Sequence, residues 1–416
     1  MLTELFESPQ RIQELRDGPN GCLLEGFADE MCHAGYAEIT ARRHIRAAEH
    51  FMYWISRTGR TIGALDEHLI EEFVGHLNRC ICPRYGHMHR RDLRRGARLF
   101  LGYARGTGIW TKRLSEEPGA EPPVLLTAFG RWMQQQRGTC DATLYNYGLH
   151  VRDLLNAVGE DPSRFDAHNL RQFVLDTSQR CGWAAAKTCT TAIRMFLRFL
   201  IADGKCAAGL EASIPALAHW RLSSLPRYLH SDDVERVVTS CDPGTAVGQR
   251  DRAVLLLLAR LGLRAGDIVQ LRLDDIDWNE AEICVSGKGR RQTLLPLTQE
   301  IGDAIAEYIK NGRPQTTADT LFIRSRAPFR PLANHAAVSV IVAQAMRRAG
   351  VVCPSRGAAH VLRHSVASSM LRHGASLQEI AGVLRHRSIA TTEIYAKVDV
   401  VALREIAQPW PEVRSC

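Results

Sequence analysis

Helix-type spacing of apolar positions dominates the chain, and its first two segments echo each other. Leu23-Leu24-x-x-Phe27 is matched by Leu125-Leu126-x-x-Phe129. Asp66, His68, Phe73 and Val74 recur as Asp166, His168, Phe173 and Val174, and each segment ends in an apolar-aromatic helix, 98–103 and 194–199. Both segments read as all-α bundles with short loops, related by duplication or by the pattern any two four-helix domains share. Residues 111–123 mix charge, Gly and Pro as a linker does, and 219–230 form a second join where Pro226 bars a helix. The expected domains are 18–112, 118–218 and 227–416.

Past residue 230 the pattern changes. Val234, Val237 and Val238 resume helical spacing behind Ser231-Asp232-Asp233, a capping signal. A buried helix is expected over 252–261, leading into Gly262-Leu-Arg264-Ala-Gly-Asp267 and a short amphipathic turn. Residues 283–286 and 293–297 read as strands around the Gly287-Lys288-Gly289 turn, so this region is α-rich with a hairpin or three-stranded sheet. Ser376-Leu-Gln-Glu379 is a capping box opening a helix that stops near His386, and a second short helix brings in Tyr395.

The length of 416 residues exceeds one ordinary core. The longest aliphatic run, 253–259, is far short of the roughly 20 residues a membrane span needs, and the acidic start lacks a signal-peptide pattern. A cytoplasmic protein without membrane partners is therefore expected. Net charge of +8 favours an anionic partner. Arginine outnumbers lysine 47 to six, which suits bidentate phosphate contacts or simply reflects GC-rich coding. Arg90, Arg91, Arg94, Arg95 and Arg98 cover one broad helical face, a phosphate-contacting surface or a merely solvated one. Neither the Cys80/Cys82 nor the Cys181/Cys189 spacing looks like half of a zinc site, so the twelve cysteines read as reduced, mostly buried thiols.

The C-terminal region carries residues that packing does not require. Arg264 stands at a Gly-flanked position and Lys288 at a hairpin tip. His360 and Arg363, at i and i+3, share a helical face and can converge on one anion, while His364 is read as facing away into the core or a supporting position. Two guanidiniums can clamp non-bridging phosphate oxygens. Tyr395 supplies a phenol to activate, His360 a proton acceptor or phosphate contact, His386 a further hydrogen bond and Lys288 an acid.

Taken in order, Gly-Leu-Arg264, Gly-Lys288-Gly, His360-x-x-Arg363-His, Leu-x-His386 and Tyr395 resemble the signature of the tyrosine recombinases, the phage-integrase family. The likeness spans about 230–400. It implies a mainly α fold with a small β-sheet: two helical DNA-clamp bundles of the SAM-like core-binding type, then a catalytic domain. It implies cleavage of double-stranded DNA through a covalent 3′-phosphotyrosyl intermediate, without metal, ATP or other cofactor, in integration, excision or transposition of a mobile element. The implied partners are DNA, further copies in a synaptic tetramer and related recombinases. Asp267 either orients a catalytic cation or caps a helix. Arg290 and Arg291 are candidate DNA contacts, but Thr293 stands where the family commonly has Arg. The first bundle exceeds a minimal recombinase and is an added DNA clamp or a protein-contact module; the tail at 400–406 docks on a neighbour or on its own domain.

Three rivals differ in their requirements. A two-metal nuclease would need Asp274, Asp275 and Asp277 to converge from separate elements, whereas their spacing suits a solvated turn. A non-enzymatic scaffold would have lost a catalytic residue, and a relaxing type IB topoisomerase would share the chemistry without strand exchange.

Overall fold

The computed structural model describes residues 1–19, 21–59, 67–82, 85, 89–107, 123–217, 225–286, 292–353, 357–398 and 403–404. Contacts divide the chain into two compact units, one formed by Met1–Arg113 with Leu222–Cys416 and the other by Leu114–Arg221.

The second unit is a four-helix bundle of α7 (Val124–Arg137), α8 (Asp141–Val158), α9 (Ala167–Arg180) and α10 (Trp183–Ala202). The first unit begins with the same succession, preceded by two short helices: α1 (Leu2–Leu5), α2 (Pro9–Asp17), α3 (Gly21–His33), α4 (Glu38–Arg57), α5 (Glu67–His76) and α6 (Arg90–Gly106). Leu2, Leu5, Ile12 and Leu15 join its core, so the bundle starts ahead of the expected residue 18. The repeated sequence positions do equivalent jobs. Phe27 meets Phe100 edge-on at 5.3 Å and 82°, and Phe129 meets Phe196 at 5.4 Å and 81°. Truncating Phe129 to Ala is expected to cost about 3–5 kcal/mol, read as lost hydrogen-exchange protection in α10 of the full chain.

Close approach sets the angle of the arginine-rich α6. A Cβ on Gly96 would lie 2.4 Å from that of Ala47, so α6 presses on α4 only because this residue is glycine.

The rest of the first unit is built around α12 (Ala246–Ala259), whose Ala253 to Leu258 are all completely buried. A helix apolar on every side belongs at a core's centre. It starts six residues earlier than the expected 252. Around it lie α11 (Ser231–Thr239), α13 (Ala265–Gln270), α14 (Gln299–Glu307), α15 (His335–Arg348), α16 (Ala358–Arg372) and α17 (Leu377–Val383). Ser231, Asp232 and Asp233 do not cap α11: His230 holds the cap position, and the two carboxylates sit in the first turn, where the helix dipole favours them.

The sheet is three-stranded and antiparallel in the order β1 (Ile276–Asp277), β2 (Glu282–Ser286), β3 (Gln292–Pro296), with Ile283 opposite Leu295 and Val285 opposite Thr293. Leu225 to His230 forms no regular element, and Leu229 N–H donates to Ser365 Oγ on α16 at 2.8 Å. The expectation of mostly buried thiols is corrected: among the described cysteines only Cys189 and Cys241 are buried, and Cys22, Cys140 and Cys181 are exposed. Among the described residues no helix is long and apolar enough to cross a membrane.

Candidate active site

Three chain turns meet at one place. The first follows α12, where Gly262 takes φ +58° and a Cβ would stand 2.7 Å from Leu384. The second opens α16. The third ends α17, whose capping box is as expected: Ser376 Oγ accepts from Glu379 N–H, and Glu379 returns the bond.

The α17 end closes as a Schellman-type turn. His386 N–H reaches Ala381 O at 2.9 Å, and Arg385 occupies the left-handed position with φ +54°. Glycine would sit there without strain, while an arginine costs about 1 kcal/mol or more. Its guanidinium compensates by binding Asp267 Oδ2 at 2.6 Å, with both side chains 8% exposed.

The two candidate clamp arginines grip this turn. Arg363, buried on α16, donates to Gly262 O and to Leu384 O. Arg264, at the start of α13, donates to Arg385 O at 2.9 Å and to Leu384 O at 3.5 Å. Asp267 accepts the Arg264 backbone N–H at 3.2 Å, the capping contact, and its close side-chain partner is Arg385 rather than a candidate clamp arginine. Burial, and then Arg264, lowers the Arg363 guanidinium to about 10. Burial also lowers Arg264, with Asp267 opposing and Arg385 and Arg387 adding to the fall. Crowded cations with one buried carboxylate among them make a site short of negative charge.

Tyr395 lies in a 3-10 turn, Glu393–Val398, not in an α-helix. It is 2% exposed and clusters with Ala367, Ile380 and Leu384. Burial pushes its phenol up to about 12, with Arg363 pulling the other way. Its hydroxyl and His364 Nδ1 lie 2.7 Å apart. The reading of His364 as facing away is thus corrected. His360 and His364 are four apart and share a helical face, a spacing visible in the sequence. His360 is exposed, and burial with neighbouring Arg363 lowers its imidazole. Burial and nearby cations lower His386 to about 4, and its Nδ1 pairs with Thr392 Oγ1 at 2.8 Å. Burial, with His360 and Arg363 adding, also lowers His364 to about 4, so His364 and His386 are both neutral at ordinary pH.

Arg264, Arg363, His386 and Tyr395 are brought together with Asp267. Sequence reasoning missed His364, Arg385 and Thr392. Lys288, Arg290 and Arg291, and the tail at 400–406 apart from residues 403–404, lie outside the described residues. On α6, Arg90 and Arg91 are exposed, while Arg94 and Arg98 pair with Glu71 at 2.5 and 3.4 Å. Asp275 and Asp277 are used in local turns, accepting from the backbone N–H groups of Arg272, Asn279 and Glu280.

Residues 227–401 match the sequence model of the phage integrase family. Over 402 residues, 95% of either chain, the protein is 35% identical to y4rA of Sinorhizobium fredii, which carries an integrase/recombinase name. It is 29% identical over 302 residues to the tyrosine recombinase XerD of Listeria monocytogenes, covering 68% of this chain and 96% of that one. Among solved structures, lambda integrase 75–356, a dimer bound to a COC′ core site, superposes with a TM-score of 0.52 at 18% identity over 70% of this chain and 98% of that chain, a likeness of fold.

Proposed function

This chain belongs to the phage integrase family of tyrosine-type site-specific DNA recombinases, and from that premise we propose that it cuts and rejoins double-stranded DNA through a 3′-phosphotyrosyl link at Tyr395. The observation that carries this reading is the joint grip of Arg264 and Arg363 on the turn at Leu384 and Arg385, in the same cluster as Tyr395.

Phosphoryl transfer needs charge stabilisation on the non-bridging oxygens and an in-line nucleophile. The two guanidiniums now donate to backbone carbonyls, and a phosphate entering the cluster competes for those protons. Tyr395 gives its proton to a neutral imidazole, with His364 the nearest acceptor, and its oxygen bonds phosphorus as the bond to the 5′ oxygen breaks. Lys288 protonates that leaving oxygen, and His360 and His386 hold the phosphate. Resealing is attack by a 5′ hydroxyl of a partner duplex, so strands are exchanged and no water is consumed.

A phenol that is 2% exposed cannot reach DNA without movement of its turn. Cleavage therefore follows opening of the Glu393–Val398 segment. The biological setting we propose is integration, excision or transposition of a mobile element by a synaptic tetramer, with Arg90, Arg91 and Arg94 of α6, and also Arg290 and Arg291, contacting phosphates.

A nicked suicide duplex tests the reaction. A covalent protein–DNA adduct formed in EDTA is the expected result, whereas metal-dependent cleavage without an adduct would point to a nuclease. Binding should also fall roughly tenfold or more on doubling the salt if four or more phosphates are contacted. An affinity unmoved by salt would remove the basic clamp from the picture.

A further inference from the structure

The first bundle brings together four metal-ligating side chains that lie far from the catalytic cluster in sequence and serve no purpose there. His50 projects from α4, His76 ends α5, and Cys80 and Cys82 follow in the next few residues. One ligand atom from each lies within 4.8 Å of all the others. We propose that His50, His76, Cys80 and Cys82 form a structural zinc site that fastens the end of α5 and the segment after it to α4.

The distances suit a tetrahedral ion. Zinc bonds of about 2.3 Å to sulfur and about 2.0–2.1 Å to nitrogen place N and S roughly 3.5 Å apart. The structure has Cys80 Sγ 3.4 Å from His50 Nε2, and Cys82 Sγ 3.8 Å from His76 Nε2. Two soft thiolates with two imidazoles select zinc over magnesium or calcium.

The surroundings orient the ligands as a metal site requires. His76 Nδ1 donates to Phe73 O at 2.6 Å, which fixes the tautomer and leaves Nε2 with its lone pair directed at the cysteines. His50 stacks on Tyr85 at 4.3 Å, and His76 stacks on Trp54 at 5.4 Å. Phe73 meets each imidazole at 5.1 Å. The aromatic rings bury His50 while the other three ligands are half-buried, surroundings that disfavour a net charge. Zinc with two thiolates and two neutral imidazoles has none, the two thiol protons leaving to solvent on binding. Four protein ligands complete the coordination, so the ion is structural and takes no part in strand cleavage.

The sequence pattern hid this site. The expectation that the Cys80/Cys82 spacing is unlike half a zinc site compared two cysteines with each other. The other ligands come from α4, thirty residues upstream, and from the last turn of α5.

Full-length protein without a polyhistidine tag, purified from zinc-supplemented cells, is expected to contain one zinc per chain by elemental analysis. Cobalt replacing that zinc should show the visible bands of a tetrahedral thiolate site. In the zinc-bound protein Cys80 and Cys82 should alkylate at least tenfold more slowly than exposed Cys22, Cys140 and Cys181, a difference abolished by chelator. The double variant Cys80→Ser/Cys82→Ser should lose the metal and the cobalt bands. Metal-free protein without thiolate-to-cobalt bands, recovery of a Cys80–Cys82 disulfide, or an undiminished zinc content in the double variant each overturns the assignment. The cobalt spectrum and the alkylation rates are read on the unmutated chain, so misfolding of the variant does not decide the outcome.

Discussion

Tyr395→Phe is expected to eliminate the covalent adduct on a suicide duplex, a loss of more than about 10⁴-fold, while DNA affinity stays within about twofold. The reason is stoichiometric: the link to phosphorus is made by the one oxygen that the substitution removes. Neither candidate clamp, Arg264 or Arg363, is touched, so ground-state binding should persist. The cost to the fold should be small. The phenol makes a hydrogen bond to His364 Nδ1, and deleting one member of such a pair costs about 1 kcal/mol, while the ring continues to fill the cluster with Ile380 and Leu384. Adduct formation by gel, affinity at fixed salt and thermal melting separate these effects. A surviving adduct in the phenylalanine variant would move the nucleophile elsewhere and end the assignment.

The legible parts of the molecule were those governed by local rules. Val234, Val237 and Val238 mark the inner face of α11 and are all buried. Residues 283–286 and 293–297 form two of the three strands within a residue at each end. The Ser376–Glu379 box caps α17, and the repeated Phe27 and Phe129 occupy matching core positions. Helix periodicity, strand alternation and capping act over a few residues, so a sequence displays them. The candidate cluster was legible for a different reason: its resemblance to a family supplied the order Arg264, His360, Arg363, His386, Tyr395.

What escaped depends on distance along the chain. Arg385 finds Asp267 from 118 residues away, and no local pattern marks it. Its left-handed backbone is set by the α17 cap and is tolerated because a buried carboxylate holds the side chain. The pairing of His364 with Tyr395 required knowing that the last turn folds back on α16. The four zinc ligands come from two helices and a loop, so only the fold reveals them as a set.

Arg363→Ala should lower the single-turnover cleavage rate by about 10³-fold and reduce stability by about 2–4 kcal/mol. The guanidinium is 5% exposed and joins three chain segments, since it projects from α16 and donates both to Gly262 O and to Leu384 O. Alanine leaves those two buried carbonyls without that donor, although the relief of repulsion from Arg264 and Arg385 offsets part of the loss. Arg363→Lys distinguishes charge from geometry. Lysine restores a cation but offers a single nitrogen, which cannot span two carbonyls or two phosphate oxygens as the planar fork does. We therefore expect the lysine variant to recover about half of the lost stability while cleavage stays about 10²-fold below the unmutated enzyme. Melting temperature and single-turnover adduct formation, measured on the same preparations, provide the two readouts. If lysine cleaves at the unmutated rate, a point charge is sufficient at this position and the bidentate clamp is wrong; if alanine melts like the unmutated chain, the two carbonyls were never dependent on Arg363.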